Sequence, residues 1–231
     1  MQDKPGKKVI LALDVEKERA LTLASEVSNL IEVGKVGLEL FCEGGKEIVE
    51  EIHRNGLEIF LDLKFHDIPR QVERTLRSLS HLPIKMLTLH TLGGEEMLKS
   101  AVKAAKDSFS KPLLLGVTIL TSLDESSLKP FFKGSIREIV LRLTELALNC
   151  GLDGVVASPL EVELLRSKLG KDFLIVTPGV RFKREEGGDQ KRVSHPREAL
   201  LKGANYVVVG REVTKSANPV GTLEELLSEL R

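Results

Sequence analysis

An excess of charge of either sign is missing from this sequence. Its 34 lysines and arginines balance 34 aspartates and glutamates. No face or tail is overwhelmingly basic, so nothing points to nucleic acid as a partner, and pairs such as Lys7-Lys8 read as solvated surface. Cysteine is nearly absent. Cys42 and Cys150 stand far apart, which fits reduced thiols in a cytoplasmic protein better than a disulfide framework. Neither has a second cysteine or a histidine at ligand spacing, so a metal site is not indicated. Long apolar runs are missing too. MQDKPGKK leads straight into VILALD, too short a run for a signal sequence or a membrane span. The expectation is a soluble, cytoplasmic protein with no membrane role. Asparagine and glutamine are scarce beside the charged residues, a composition that leans towards a thermophilic source.

What is present is a core and a repeat. Hydrophobic residues make up 42% of 231 residues, and that length suits one α/β barrel better than two domains. Short, β-branched apolar runs recur: 9–14, 33–38, 58–64, 86–90, 113–120, 154–158, 173–178 and 206–210. Each has the length of a fully buried strand. Helical spacing fills the intervals; in 45–55, for example, Ile48, Val49 and Ile52 share a face. Gly56, Gly151, Gly170 and Gly203 stand where left-handed residues stop helices. Thr222 with Glu225 reads as a capping box opening the last helix. The longest connection, 121–135, reads as partly helical. Eight strands alternating with helices predict a parallel sheet closed into a single-domain (β/α)8 barrel over 1–231. The competing doubly wound sheet carries a glycine-rich fingerprint after its first strand. Asp14-Val15-Glu16 has none, which favours the barrel.

In a barrel the active site lies at the C-terminal strand ends. Those ends carry Asp14, Lys35, Asp62 with Lys64, His90, Thr121, Ser158, Thr177 with Arg181, and Gly210 with Arg211. Ser158 before Pro159 reads as a helix N-cap with no other role, and capping the first helix is the alternative for Asp14. In FLDLKFHDIP (60–69), strand alternation sends Leu61, Leu63 and Phe65 towards the helices and Asp62 and Lys64 inwards. Asp67 follows at the turn into Ile68-Pro69, and Lys35 reaches in from the neighbouring strand. The array alternates in sign: Lys35, Asp62, Lys64, Asp67. A structural ion-pair network is one reading, because buried charges need partners. The other is catalytic. Flanking carboxylates keep Lys64 protonated in a dry pocket, and a fixed ammonium there can stabilise a carbanion and then protonate it. His66 reads as a hydrogen-bonding residue more than a base and His90 as support behind the site. His53, His81 and His195 read as surface residues.

TPGVR (177–181) and VVVGR (206–211) each leave a strand with a glycine and an arginine. They follow strands seven and eight, the usual phosphate site of this fold. Glycine lets backbone N–H groups approach a phosphate, and arginine supplies a charged fork. Between them FKREEGGDQKR (182–192), with Gly187-Gly188, reads as a lid, or else as a solvated loop.

These motifs resemble the orotidine 5′-phosphate decarboxylase family. DLKFHDIP (62–69) is the most specific. VILALD, KVG (35–37), GVTILTS (116–122), GLDGVVAS (151–158), VTPGVR (176–181), GDQKR (188–192) and VVVGR (207–211) match in order and spacing over essentially the whole chain. The resemblance implies decarboxylation of orotidine 5′-monophosphate to uridine 5′-monophosphate, with no metal or organic cofactor. It implies that Asp14 and Lys35 contact the ribose, that Asp62 sits beside the substrate carboxylate, and that Lys64 protonates C6. Asp67 would come from the partner subunit of a homodimer, with Ile68 and Gln71 beside it. Thr121 and Pro178 would lie against the nucleotide. Gln190 would reach from the lid, and Arg181, Gly210 and Arg211 would hold the phosphate. Gln71 departs from the family, which often has threonine there, and this puts that contact in question. Two rivals stay open. A Mg2+-dependent phosphosugar enzyme of the same barrel group shares Asp-x-Lys-x-x-Asp but has an acidic residue where Lys35 stands. An inert nucleotide-binding barrel would keep the arginines without needing Lys64 between acids.

Overall fold

The computed structural model of the protein describes residues 5–182 and 194–231. Eight parallel strands close into a barrel in sequence order. They are β1 (Val9–Ala12), β2 (Val33–Val36), β3 (Glu58–Phe65), β4 (Ile84–His90), β5 (Leu113–Val117), β6 (Gly154–Val156), β7 (Leu174–Thr177) and β8 (Tyr206–Val209). The barrel closes where Val9 and Ile10 of β1 pair with Val207 and Val208 of β8. Around it run α1 (Lys17–Val27), α2 (Leu38–Gly44), α3 (Glu47–Arg54), α4 (Pro69–Ser78), α5 (Gly94–Lys106), α6 (Glu125–Leu128), α7 (Ile136–Asn149), α8 (Val162–Leu169), α9 (Pro196–Leu201), α10 (Arg211–Thr214) and α11 (Pro219–Glu229).

The strands are apolar on both faces because each face meets a different core. Leu11, Ile59, Leu61, Leu87, Val155 and Ile175 point outwards and pack with the helices. Ile10, Val33, Phe60, Met86, Leu115 and Val176 point inwards and plug the barrel. Burying one such side chain stabilises the fold by about 1.5–3 kcal/mol. Further along the first four strands the same inward parity changes character. Ile10 is followed by Ala12 and Asp14, Val33 by Lys35, Phe60 by Asp62, and Met86 by Thr88. The apolar plug therefore ends in a charged floor at the C-terminal mouth.

The four glycines predicted to stop helices all have positive φ: Gly56 at 98°, Gly151 at 88°, Gly170 at 82° and Gly203 at 108°. Connection 121–135 is partly helical through α6, capped by Asp124, whose carboxylate accepts the Ser127 N–H at 3.0 Å. Two capping expectations are corrected, and the capping alternative for Asp14 falls away. The last helix opens at Pro219, with Asn218 accepting the Gly221 N–H at 3.0 Å. Proline is preorganised for the first helical position, so the helix begins before Thr222. Ser158 accepts the Leu160 N–H at 3.3 Å in a tight turn, and α8 starts only at Val162. The residue capping α1 is Glu16, so Asp14 keeps its carboxylate for the mouth of the barrel. Cys42 is exposed and Cys150 buried, both as free thiols. Among the described residues no helix is long and apolar enough to cross a membrane.

Candidate active site

The mouth of the barrel holds a cavity of about 530 Å3, lined among others by Asp14, Lys35, Asp62, Lys64, Thr121, Pro178, Arg181, Gly210 and Arg211. On its floor the charges form a row. Lys35 Nζ lies 2.9 Å from Asp14 Oδ1 and 3.7 Å from Asp62 Oδ2. Lys64 Nζ donates to the same Asp62 oxygen at 2.9 Å. Lys35 is buried and the Asp62 side chain is 12% exposed, whereas the Lys64 side chain is 32% and that of Asp14 52% exposed. One carboxylate oxygen thus serves two ammonium groups. Such a row is affordable away from water only because opposite charges alternate.

Asp67 is not part of this row within the chain. Its residue is exposed, and its Oδ1 accepts the N–H of the next residue, Ile68, at 2.7 Å. Within the chain the fourth member of the row is Asp14. Ile68 and Gln71 are also exposed and do not line the cavity. Gln190 and the lid proposed for 182–192, with Gly187-Gly188, lie outside the described residues apart from Phe182.

Simple alternation does not carry Lys64 into the cavity. Leu61 pairs with Leu87 but Phe65 with Leu89, so β3 bulges between those rungs. Lys64 has φ 50°, a left-handed conformation that costs a non-glycine residue about 1–2 kcal/mol. Strain of this kind gathers where function needs it. Thr88, on β4 and fully buried, touches both ends of the bulge. Its hydroxyl donates to Asp62 Oδ1 at 3.0 Å and accepts the Lys64 N–H at 2.9 Å. The sequence reading passed over Thr88. Its signal was a hydroxyl at the inward parity of Met86, between Leu87 and Leu89. Glu39 and Lys215 also line the cavity and were not anticipated.

His90 ends β4 and stacks on His66, ring centroids 5.1 Å apart. Its Nδ1 accepts the Leu92 N–H at 3.4 Å. Burial holds its pKa below the ordinary histidine value, helped by the nearby His66 and Lys64. His81 is exposed as expected. His53 and His195 are only partly so: His53 Nδ1 meets Leu57 O at 3.2 Å, and His195 caps α9 and lies 3.2 Å from Glu229.

Across the cavity the loops after β7 and β8 are tied together. Glu212, after β8, accepts the Phe182 N–H at 3.2 Å, while within the segment after β7 Arg181 N donates to Ser194 O at 3.0 Å. Gly179 has φ 76°, a turn that brings Arg181 back over the mouth. Thr177, by contrast, is buried and does not line the cavity.

A closed parallel barrel with its charged chemistry gathered at the strand C-termini defines a (β/α)8-barrel enzyme. Comparison with known proteins carries this further. The chain belongs to the orotidine 5′-phosphate decarboxylase / HUMPS family, whose sequence profile it matches over residues 7–226. An orotidine 5′-phosphate decarboxylase of Trichlorobacter lovleyi is 43% identical, over 99% of this chain and 97% of the relative. One of Dictyoglomus turgidum is 45% identical, over 96% and 94%. The crystal structure of orotidine 5′-phosphate decarboxylase from Lactobacillus acidophilus superimposes with a TM-score of 0.85 at 35% identity, covering 97% of this chain and 99% of that one.

Proposed function

We propose that this protein decarboxylates orotidine 5′-monophosphate to uridine 5′-monophosphate and CO2, a step of pyrimidine biosynthesis. It is a carboxy-lyase, and a soluble nucleotide substrate accords with a cytoplasmic site of action. The observation that carries the reading is the Lys35–Asp62–Lys64 contact row on the floor of a cavity that arginines face from the far wall.

In this reading the phosphate binds at Arg181, Arg211 and the Gly210 backbone, with Gln190 joining from 183–193. Asp14 and Lys35 take the ribose hydroxyls. The pyrimidine lies against Thr121 and Pro178, with its carboxylate beside Asp62. The C6–carboxylate bond breaks heterolytically, CO2 leaves, and the electron pair stays on C6. Lys64 Nζ, held by Asp62, gives a proton to C6 and is reprotonated from solvent. The pyrimidine has no good resonance sink for that pair, so preorganised electrostatics must supply much of an enzymatic acceleration worth roughly 8–23 kcal/mol. Phosphate binding remote from the breaking bond can be spent on that step.

The active unit is a homodimer in this reading, with Asp67, Ile68 and Gln71 entering the partner's cavity. Asp67 stands on the rim, and exposed apolar residues flank it after neighbouring strands: Leu38 (58%), Ile68 (64%) and Leu92 (41%). Such a cluster suits a subunit contact.

The rival Mg2+-dependent reading meets an obstacle in Lys35. Its ammonium already occupies the space between the Asp14 and Asp62 carboxylates, 2.9 Å and 3.7 Å away, where it would repel a divalent cation. The test is an ultraviolet assay with orotidine monophosphate, run with and without chelator. Decarboxylation insensitive to EDTA supports the proposal. Activity lost with EDTA and restored by Mg2+ favours the rival. Tight uridine-monophosphate binding without turnover favours an inert binding barrel.

A further inference from the structure

Three hydrogen bonds close a ring around Lys64. Thr88 Oγ1 donates to Asp62 Oδ1 at 3.0 Å, Lys64 Nζ donates to Asp62 Oδ2 at 2.9 Å, and the Lys64 amide donates back to Thr88 Oγ1 at 2.9 Å. Thr88 is fully buried on β4. Leaving a buried hydroxyl unpaired is costly, and here its polar capacity is used in both directions. We infer that Thr88 is the positioning residue of the proposed acid, a role that rests on the functional reading above. It acts through two groups at once. By holding Oδ1 it fixes the rotation of the Asp62 carboxylate, so that Oδ2 stays aimed at Lys35 and Lys64. By accepting the Lys64 N–H it fixes the backbone in the left-handed turn, φ 50°, that lifts the side chain out of the bulge into the cavity. The same register explains why β4 supplies it. Leu87 and Leu89 bracket the bulge as pairing partners of Leu61 and Phe65, and Thr88 lies between them on the inward face.

Valine has the same shape without the hydroxyl, so Thr88→Val removes the ring while keeping the packing, and Thr88→Ser keeps the hydroxyl. The expected result for Thr88→Val is a fall in kcat of about a hundredfold, the scale of a sub-ångström to ångström misplacement of a reacting group. Affinity for uridine monophosphate, measured by calorimetry, should stay within about twofold, because its phosphate and ribose contacts are untouched. Thr88→Ser should restore most of the turnover. Independently of activity, hydrogen exchange of the Lys64 amide should quicken about tenfold in Thr88→Val and not in Thr88→Ser, since one hydrogen bond is lost. Wild-type kcat in Thr88→Val, or equal losses in both variants, would overturn the inference. So would unchanged Lys64 exchange in Thr88→Val. If Thr88→Val does not fold, Thr88→Cys, with a weaker donor and acceptor, serves the same readouts, and wild-type turnover there is again the contrary result. Lack of decarboxylation by the unaltered protein would overturn the functional reading alone, because the amide exchange tests the ring by itself.

Discussion

Gly37→Ala should damage the site and spare the fold. Gly37 follows β2 with φ −90° and ψ −176°, an extended conformation open to alanine. A Cβ built there would come within 2.8 Å of Asp14 Oδ1 and 3.0 Å of Lys35 Nζ. Relief to ordinary contact requires the carboxylate to retreat by roughly 0.6 Å and the ammonium by about 0.4 Å. Both are ends of side chains that can move, so the strain is released by displacing them rather than by unfolding. Alanine reduces unfolded-state entropy by an equivalent of about 0.4–1 kcal/mol and is a poorer N-cap for α2 by a similar amount. The melting temperature should therefore hardly change. The Asp14–Lys35 pair, 2.9 Å long, would shift as a unit against the ribose and against Asp62, with a fall in kcat/KM of about tenfold to a hundredfold. The assay is steady-state loss of orotidine-monophosphate absorbance beside a thermal melt. Full activity, or a loss matched by collapse of the melt, would refute the steric reasoning.

Other perturbations probe separate parts. Arg166 donates to the Gly170, Phe173 and Gly203 carbonyls and to Asn205 Oδ1, and lies over the Phe173 ring at 4.6 Å. Arg166→Ala should lower the unfolding free energy in urea by about 2–4 kcal/mol by stranding those acceptors, with activity per folded molecule unchanged. His90 is held below its ordinary pKa. Its contribution to stability is complete above the unfolded value of about 6.5 and is lost as pH falls from there towards the folded value, because the unfolded chain binds that proton first. His90→Asn should therefore show a shallower fall in melting temperature as pH drops below about 6.5, and parallel curves would contradict this. Ile68→Glu places a charge on an exposed apolar rim residue. It should convert dimers to monomers in sedimentation and reduce turnover, and an unchanged dimer would count against the proposed interface.

The barrel was legible because its strands are buried on both faces, which leaves short β-branched runs between helical spacings. Lys35 and Asp62 were legible for the same reason: each stands at the inward parity of a plug residue, Val33 and Phe60. Lys64 was reached by alternation, yet it gets there through a bulge and a positive φ. Such irregularities depend on tertiary hydrogen bonding that a period of two does not encode. Thr88 was missed because threonine is ordinary in strands, so a single hydroxyl there raises no alarm until its neighbours are known. Asp67 was joined to the array because sequence spacing cannot distinguish a side chain facing its own cavity from one facing outwards. The last helix opens at Pro219, three residues before the start read from sequence. Thr222 was read as that start for its capping box, although proline already favours the earlier one.

The most direct trial of the central claim is single-turnover decarboxylation by Lys64→Ala, with uridine-monophosphate binding and thermal melting measured on the same sample. The expected result is a folded protein that still binds the nucleotide and releases no CO2 above background. Near-normal decarboxylation by that variant would contradict the account, because the proton delivered to C6 would then come from elsewhere.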